Sequence, residues 1–112
     1  KEDNWITFDF LEKKVKLYGV SIRTNNLGDT IAHPKSFEIL GSHDNEEFVS
    51  ISKFYDNGDL NGREKEKFFR IDFNQVDHYR YIRYRQYETH HNYRDSAMII
   101  SLSGIEFFGI ME

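Results

Sequence analysis

The chain has 112 residues, the size of a single domain with one hydrophobic core. Its net charge of -4 excludes an overall positive field that would draw it to nucleic acid or to an anionic membrane. Cysteine is absent, which excludes disulfides, thiolate metal sites and cysteine nucleophiles, and no apolar run is long enough to span a bilayer. Aromatic residues make up 16% of the chain, a content that favours burial of rings in strands.

The first half of the chain predicts four strands. Alternation of apolar and polar residues over 5–10 indicates a half-buried strand whose inner face is formed by Ile6, Phe8 and Phe10. A second strand is predicted over 15–23, with Tyr18 inward beside Val20 and Ile22. Asparagine and glycine at 25–28 and the only proline, Pro34, predict an exposed loop. The third and fourth strands are predicted over 36–40 and 48–54.

The second half predicts three more strands, over 68–73, 79–87 and 97–109. In the strand over 79–87, the sequence places Arg80, Ile82, Tyr84 and Gln86 on one face and Tyr79, Tyr81, Arg83, Arg85 and Tyr87 on the other. The last strand is interrupted at Ser103 and Gly104, after which Ile105 and Phe107 point into the core and Phe108 points away from it. Short, regularly spaced strands without helical periodicity predict an all-β fold, an antiparallel β-sandwich.

Four segments carry a resemblance to a known family. They are Trp5–Phe10, His33–Asp44, Tyr81–Tyr84 and Ser103–Gly109. The second is the most specific, because its strand follows a proline and closes on a Gly-Ser-x-Asp turn. In order and spacing these segments resemble the discoidin-like (coagulation factor 5/8 type C) family, whose fold is the galactose-binding-like jelly roll.

The resemblance implies one discoidin-like domain over residues 1–112. The chain starts at what resembles an internal strand of the family, so we expect the first strands and one ligand-facing loop to be missing. Without cysteine, the chain resembles the intracellular members, which accompany BTB and related adaptor modules or ubiquitin-ligase components. We therefore expect a cytoplasmic location, within a large or cytoskeletal assembly.

Tyr81, Arg83, Arg85 and Tyr87, which we call the arginine face, form the first candidate binding surface. Alternate positions on a strand place two guanidinium groups and two phenol rings on the same side. Guanidinium groups bind carboxylates, phosphates or sugar hydroxyls, and the rings can stack on a planar partner. The alternative is a solvated sheet face whose arginines pair with some of the 19 acidic residues.

Two loops, over 25–33 and 88–94, form the second candidate, since recognition residues commonly lie in loops on a rigid sandwich. In lectin-like relatives, histidine, arginine and aromatic side chains bind ligand at the corresponding end, which implies His91, Tyr93 and Arg94. The alternative is that these loops are simply solvated. His90 and His91 do not predict a zinc site, because adjacent side chains on a strand point apart.

Nothing in the sequence nominates a reaction. It contains no serine nucleophile elbow, no glycine-rich phosphate loop and no suitably spaced pair of carboxylates, so no enzyme activity, cofactor or metal is predicted. The leading hypothesis is a non-catalytic protein-interaction or scaffold module of a larger intracellular assembly, which binds a protein partner through the loops or the arginine face. The alternative is a carbohydrate-binding, lectin-like domain. Neither a nucleic acid partner nor a membrane span is expected.

Overall fold

The computed structural model describes residues 4–26, 28, 33–90 and 102–112. Within these residues the chain forms seven strands and one short 3-10 helix. The strands are β1 (Asn4–Asp9), β2 (Val15–Arg23), β3 (Pro34–Ser42), β4 (Val49–Phe54), β5 (Glu66–Arg70), β6 (Tyr81–Thr89) and β7 (Gly104–Met111), and the 3-10 helix is Phe73–Gln75.

The strands form two antiparallel sheets. The four-stranded sheet has the order β1-β6-β3-β4, and the three-stranded sheet has the order β5-β2-β7. Because side chains alternate along each strand, one face of each sheet is apolar and buries itself against the other sheet. The predicted all-β antiparallel sandwich is therefore confirmed.

The core lies between the two inner faces. Its fully buried members come from both sheets and include Leu17, Val20 and Ile22 of β2 and Phe37, Ile39, Ile82 and Tyr84 of β3 and β6. The Phe37 ring contacts Phe54 in its own sheet, with centroids 5.0 Å apart, and Phe69 in the other sheet, at 5.4 Å. A chain of aromatic contacts thus joins the two layers.

The predicted alternation along the sixth strand holds for Ile82, Tyr84 and Gln86, which are buried. The predicted alternation is wrong for Tyr79 and Arg80, because β6 begins only at Tyr81. Tyr79 lies in the core, with its ring packed against Gly41, instead of lying on the arginine face. Arg80 points away from the core and pairs with Asp9 through two hydrogen bonds of 2.8 and 3.1 Å.

The inward placement of Tyr18 is also wrong. The pairing of β2 with β7 shifts register between Leu17 and Gly19, so Tyr18 occupies a β-bulge. The bulge changes the side on which the following residues fall, and this keeps both Leu17 and Val20 buried. The Tyr18 ring is 41% exposed on the outer face of the three-stranded sheet.

The loop between β2 and β3 is less exposed at its end than predicted. Pro34 is buried and begins β3, a position that a proline can take without loss of a ladder hydrogen bond. His33 is 0% exposed, and its Nε2 donates a hydrogen bond of 2.7 Å to the carbonyl of Gly28. Residues 27 and 29–32 of this loop lie outside the described residues.

The Gly-Ser-x-Asp turn between β3 and β4 has the expected structure. Asp44 accepts hydrogen bonds from the backbone N–H groups of Glu46 and Glu47 and from the hydroxyl of Ser42. These bonds favour the ionised carboxyl and hold the pKa of Asp44 below its ordinary value. The aspartate therefore fixes the turn.

The last strand confirms the predicted split between two adjacent rings. Phe107 packs inward on Phe8, with centroids 5.1 Å apart, whereas Phe108 lies outside, 5.5 Å from Phe68. The predicted start of this strand, over 97–101, lies outside the described residues. Across the described ranges, no helix has the length and apolar character that crossing a membrane requires.

Alanine substitutions at two glycines of β7, Gly109 and Gly104, test the strand pairing of the three-stranded sheet. A Cβ added to Gly109 would lie 2.3 Å from the carbonyl oxygen of Lys16, whereas one added to Gly104 would meet no atom within 4 Å. We expect Gly109→Ala to destabilise the domain by about 1–3 kcal/mol through overpacking. Gly104→Ala should change stability by less than about 0.5 kcal/mol. Urea unfolding measures both variants, and equal midpoints would contradict the register.

Candidate functional site

Three connections meet at one end of the sandwich, namely those from β2 to β3, from β4 to β5 and from β6 to β7. The backbone N–H of His90 donates to the carbonyl of His33, at 2.8 Å, and the His90 ring donates to the carbonyl of Asn57, at 2.8 Å. The N–H of Ser103 donates to the carbonyl of Arg23, at 2.8 Å. These hydrogen bonds hold the three connections against one another. Loops held in this way on a rigid sandwich are a common location for binding residues.

Thr24 is anchored at this end by several hydrogen bonds. It is 1% exposed, and its hydroxyl donates to the carbonyl of Gly62, at 2.7 Å, and accepts from the N–H of Lys65, at 2.8 Å. The hydroxyl of Ser103 donates to the carbonyl of Thr24, at 3.0 Å. One threonine thus ties together segments that come before β3, before β5 and before β7.

A polar cleft of about 360 Å³, which we call the end cleft, opens beside Thr24. It is lined by Arg23, Thr24, Asn26, Glu64, Glu66 and Ser103. A second cleft of about 180 Å³, the side cleft, is lined by Ser21, Arg23, Glu66, Ser103, Gly104, Ile105 and Glu106. The two clefts share three residues, so together they form one continuous depression.

Arg23 and Glu66 stand at the junction of the two clefts. The guanidinium Nη2 donates to the carboxylate at 3.2 Å, and the Ser21 hydroxyl donates to the same carboxylate at 3.5 Å. Both charged side chains remain about half exposed. Because each partner uses only part of its hydrogen-bonding capacity in this pair, the junction can still donate to and accept from a ligand.

Sequence reasoning found one segment of the end cleft, the loop over 25–33 that contains Asn26, but missed its charged residues. Arg23 and Glu66 are 43 residues apart, and each looks like an ordinary polar residue at a strand end. The one available signal was the polar run from Arg23 to Asn26, which follows an apolar strand directly. That run alone does not reveal which other segment faces it.

The structure places Arg83, Arg85 and Tyr87 on β6, on the outer face of the four-stranded sheet, as predicted for the arginine face. These residues are away from the end cleft, which is built on the three-stranded sheet. The other predicted site residues, His91, Tyr93 and Arg94, lie outside the described residues.

Arg83 is enclosed by aromatic rings. Its guanidinium carbon lies 4.8 Å from the centre of the Trp5 ring and 3.8 Å from that of Phe48, and its Nε donates to the Thr7 hydroxyl at 2.8 Å. Burial and the neighbouring charge of Arg85 lower the pKa of Arg83 from its ordinary value. The described contacts of Arg83 are therefore with two aromatic rings and a hydroxyl.

Tyr87 forms a second cluster on the same face. Its hydroxyl donates to the carboxylate of Glu38, which is 3% exposed and lies opposite Arg85 in the strand pairing. Burial of the hydroxyl, together with its hydrogen bond to Glu38, raises the pKa of Tyr87 to about 12. The ring of Tyr55 stacks beside Tyr87, with centroids 6.4 Å apart, and Tyr55 is 63% exposed.

Among the described residues, no three histidine, aspartate or glutamate side chains come together as a metal site would require. The His90 ring donates to a backbone carbonyl, and that of His33 does the same. Both imidazoles thus hold loops in place.

Comparison with known proteins adds the following. The chain matches the F5/8 type C domain family over residues 1–101. It is similar in structure to CBM32-3 from a family 31 glycoside hydrolase of Clostridium perfringens, with a TM-score of 0.73 and 18% identity, covering 98% of this chain and 70% of that one.

It is also similar to a fragment of a protein from Bacteroides thetaiotaomicron provisionally named a chitobiase, with a TM-score of 0.68 and 20% identity, covering 98% of this chain and 64% of that one. The chain thus spans about two thirds of the length of these solved chains. At this level of identity the likeness establishes the fold. No curated protein matches the sequence. That the family's first strands are missing stays a prediction.

A substitution at Thr24 tests how the end cleft is built. Thr24→Val keeps the shape of the side chain but leaves the Gly62 carbonyl and the Lys65 N–H without their partner, so we expect a loss of about 1–3 kcal/mol. Thr24→Ser keeps the hydroxyl and removes one methyl group, which should cost about 1 kcal/mol. Urea unfolding distinguishes them. A valine variant at least as stable as the serine variant would contradict the role of the hydroxyl.

Proposed function

Because the chain belongs to the F5/8 type C domain family, we propose that it is a binding domain that holds carbohydrate in the end cleft. The observation that supports this most directly is the polar lining at the junction of Arg23, Glu66 and Ser103. A sugar presents hydroxyl groups that both donate and accept hydrogen bonds. The lining supplies a guanidinium donor, carboxylate acceptors and a hydroxyl that can act as either.

The surroundings of the end cleft suit recognition by hydrogen bonds. The hydrogen bonds of Thr24 hold Gly62, Lys65 and Ser103 in place around the cleft. The entropic cost of ordering these segments on ligand binding is therefore small. The Arg23 guanidinium is oriented by Glu66 before any ligand arrives. The similar fold of CBM32-3, by its name a carbohydrate-binding module, is consistent with such a role.

This proposal reverses the order of the two hypotheses that the sequence favoured. A role in binding, without catalysis by this domain, is common to both. Carbohydrate now comes first because the end cleft offers a concave polar site. At the arginine face, Arg83 is already in contact with Trp5, Phe48 and Thr7.

Sugar titration tests the proposal. We expect at least one of galactose, glucose and N-acetylglucosamine to bind the chain saturably. The measurement is the change in amide chemical shifts around Arg23 during the titration. Arg23→Ala removes a charged donor and should weaken binding by about tenfold or more. Lys13→Ala, at the opposite end of the sandwich, is the matched control and should bind as the unchanged chain does. Equal affinity in the two variants, or no saturable binding of any of the three sugars, would refute the end cleft.

The second candidate function is binding of a protein partner at the arginine face. Such binding would suit the role in a cytoplasmic assembly that the sequence led us to expect. The observation that favours it is the exposure of two rings beside the arginines, with Trp5 at 49% and Tyr55 at 63%. Exposed aromatic rings near arginine are typical of the centre of protein interfaces. Arg83 would contribute by holding Trp5 in place, since it is stacked against that ring.

Site-specific crosslinking tests this second candidate. A photoreactive phenylalanine analogue in place of Tyr55, in the protein inside cells, should yield one discrete crosslinked protein because the ring would lie in the interface. The same analogue in place of Leu11, which is 66% exposed at the opposite end, is the control. Identical crosslinking patterns at the two positions would eliminate the arginine face as a docking surface.

A further inference from the structure

The outer face of the three-stranded sheet continues the end cleft. A more specific ligand can be inferred from this continuity, and the inference rests on the proposed function. We propose that the domain binds a linear, uncharged oligosaccharide, which runs from the end cleft across the side cleft onto the rings of Phe68, Phe108 and Tyr18. We call this continuous surface, made of the two clefts and these three rings, the sheet groove.

The sheet groove follows directly from the strand pairing. Arg23 lies opposite Glu66 and Gly104, and two residues earlier on β2, Ser21 lies opposite Phe68 and Glu106. Side chains two residues apart share a face, so these rows project outward one after the other, about 7 Å apart. The polar row at the end cleft is thus followed immediately by a row that contains a ring.

Gly19 forms the floor of the ring-lined part. A Cβ at Gly19 would lie 2.1 Å from the tip of the Phe68 ring, so this ring occupies the space that a side chain would fill. Phe108, opposite Gly19, meets Phe68 edge to face at 5.5 Å. Tyr18 follows, 6.3 Å from Phe108. The glycine and the bulge at Tyr18 therefore bring three rings together on a sheet face that faces solvent.

The rings are accessible to a ligand. Phe68 is 42% exposed and Tyr18 is 41% exposed, although both are large aromatic residues. From Tyr18 in β2 to Thr24 just after it, the chain extends over about 20 Å, which is longer than a single pyranose ring. The groove therefore has room for several sugar units in line.

The pattern of side chains matches a sugar better than a protein surface. A pyranose ring has an apolar face of C–H groups and a rim of hydroxyls, so it needs a ring to stack on and hydrogen-bonding groups beside it. Phe68 has such neighbours, the hydroxyl of Ser21 and the carboxylate of Glu106 across the sheet. The centre of a protein interface is instead depleted in charged residues.

The charge of the groove indicates which sugars fit. Among the described residues, Glu64, Glu66 and Glu106 line the two clefts together with the cation Arg23. Arg70, which lies opposite Gly19 beside the rings, adds a second cation, so acidic side chains still outnumber basic ones along the groove. A carboxylate or sulfate group on a ligand would be repelled by this excess of negative charge. Uncharged oligosaccharides should therefore bind in preference to uronate-containing or sulfated ones.

Calorimetry with oligosaccharides of increasing length tests the proposal on the 112-residue chain. The probes are β-linked oligomers of glucose, galactose and N-acetylglucosamine with one, two, four and six units, and a heparin hexasaccharide as the anionic probe. We expect affinity to rise by about tenfold from one to six units, as additional rings engage. The heparin probe should bind more weakly than the best neutral hexamer.

Substitutions locate the added affinity. Phe68→Ala and Tyr18→Ala should each lower the affinity for the hexamer several-fold. Tyr55→Ala removes an even more exposed ring that directly follows β4 of the other sheet, and it should leave hexamer binding unchanged. Unfolding midpoints close to that of the unchanged chain establish that each variant is folded, and since two separate rings are tested, loss of one variant to misfolding does not remove the test.

The possible contrary results are distinct. Affinity that does not depend on length, with the single units still bound, would overturn the sheet groove and leave the end cleft standing. Absence of binding to every sugar would overturn both. Tighter binding of heparin, or concentration-dependent self-association abolished by Phe68→Ala, would show that the rings serve an anionic glycan or a second copy of the chain instead.

Discussion

Everything described depends on the contact of Phe37 with rings of both sheets. Its side chain is 0% exposed and packs on Phe54 and Tyr84 within the four-stranded sheet and on Phe69 from the three-stranded sheet. The edge-to-face contact with Phe69 adds to the gain from burial and fixes the relative position of the layers. With the inner faces locked, the strand ends and the outer faces are held rigidly enough to form sites.

The two outer faces use aromatic residues in different ways. On the four-stranded sheet, rings are placed around a charged group, since Arg83 contacts both Trp5 and Phe48. On the three-stranded sheet, the rings of Tyr18, Phe108 and Phe68 contact one another, and Tyr18 and Phe68 stay exposed beside a polar cleft. This contrast is the reason that the sheet groove carries the more specific ligand proposal.

The candidate site was only partly accessible from the sequence. Alternation along one strand suffices to place Arg83, Arg85 and Tyr87 on a common outer face, and that prediction is confirmed. The end cleft was not predictable, because Arg23 and Glu66 become neighbours only through pairing of strands that are distant in the sequence. A side chain's position on a strand is local information, whereas its partner across the sheet is not.

The same distinction separates what the sequence determined from what only the tertiary structure decided. The sequence alone determined the strand-rich fold, the buried faces of Ile82 and Tyr84, the opposite directions of Phe107 and Phe108 and the turn held by Asp44, because each follows from side chains only a few positions apart. Tertiary structure decided the exposure of Tyr18, the enclosure of Arg83 and the pairing of Arg23 with Glu66. These follow from the register and bulges between strands, which long-range packing selects and no short stretch of sequence specifies.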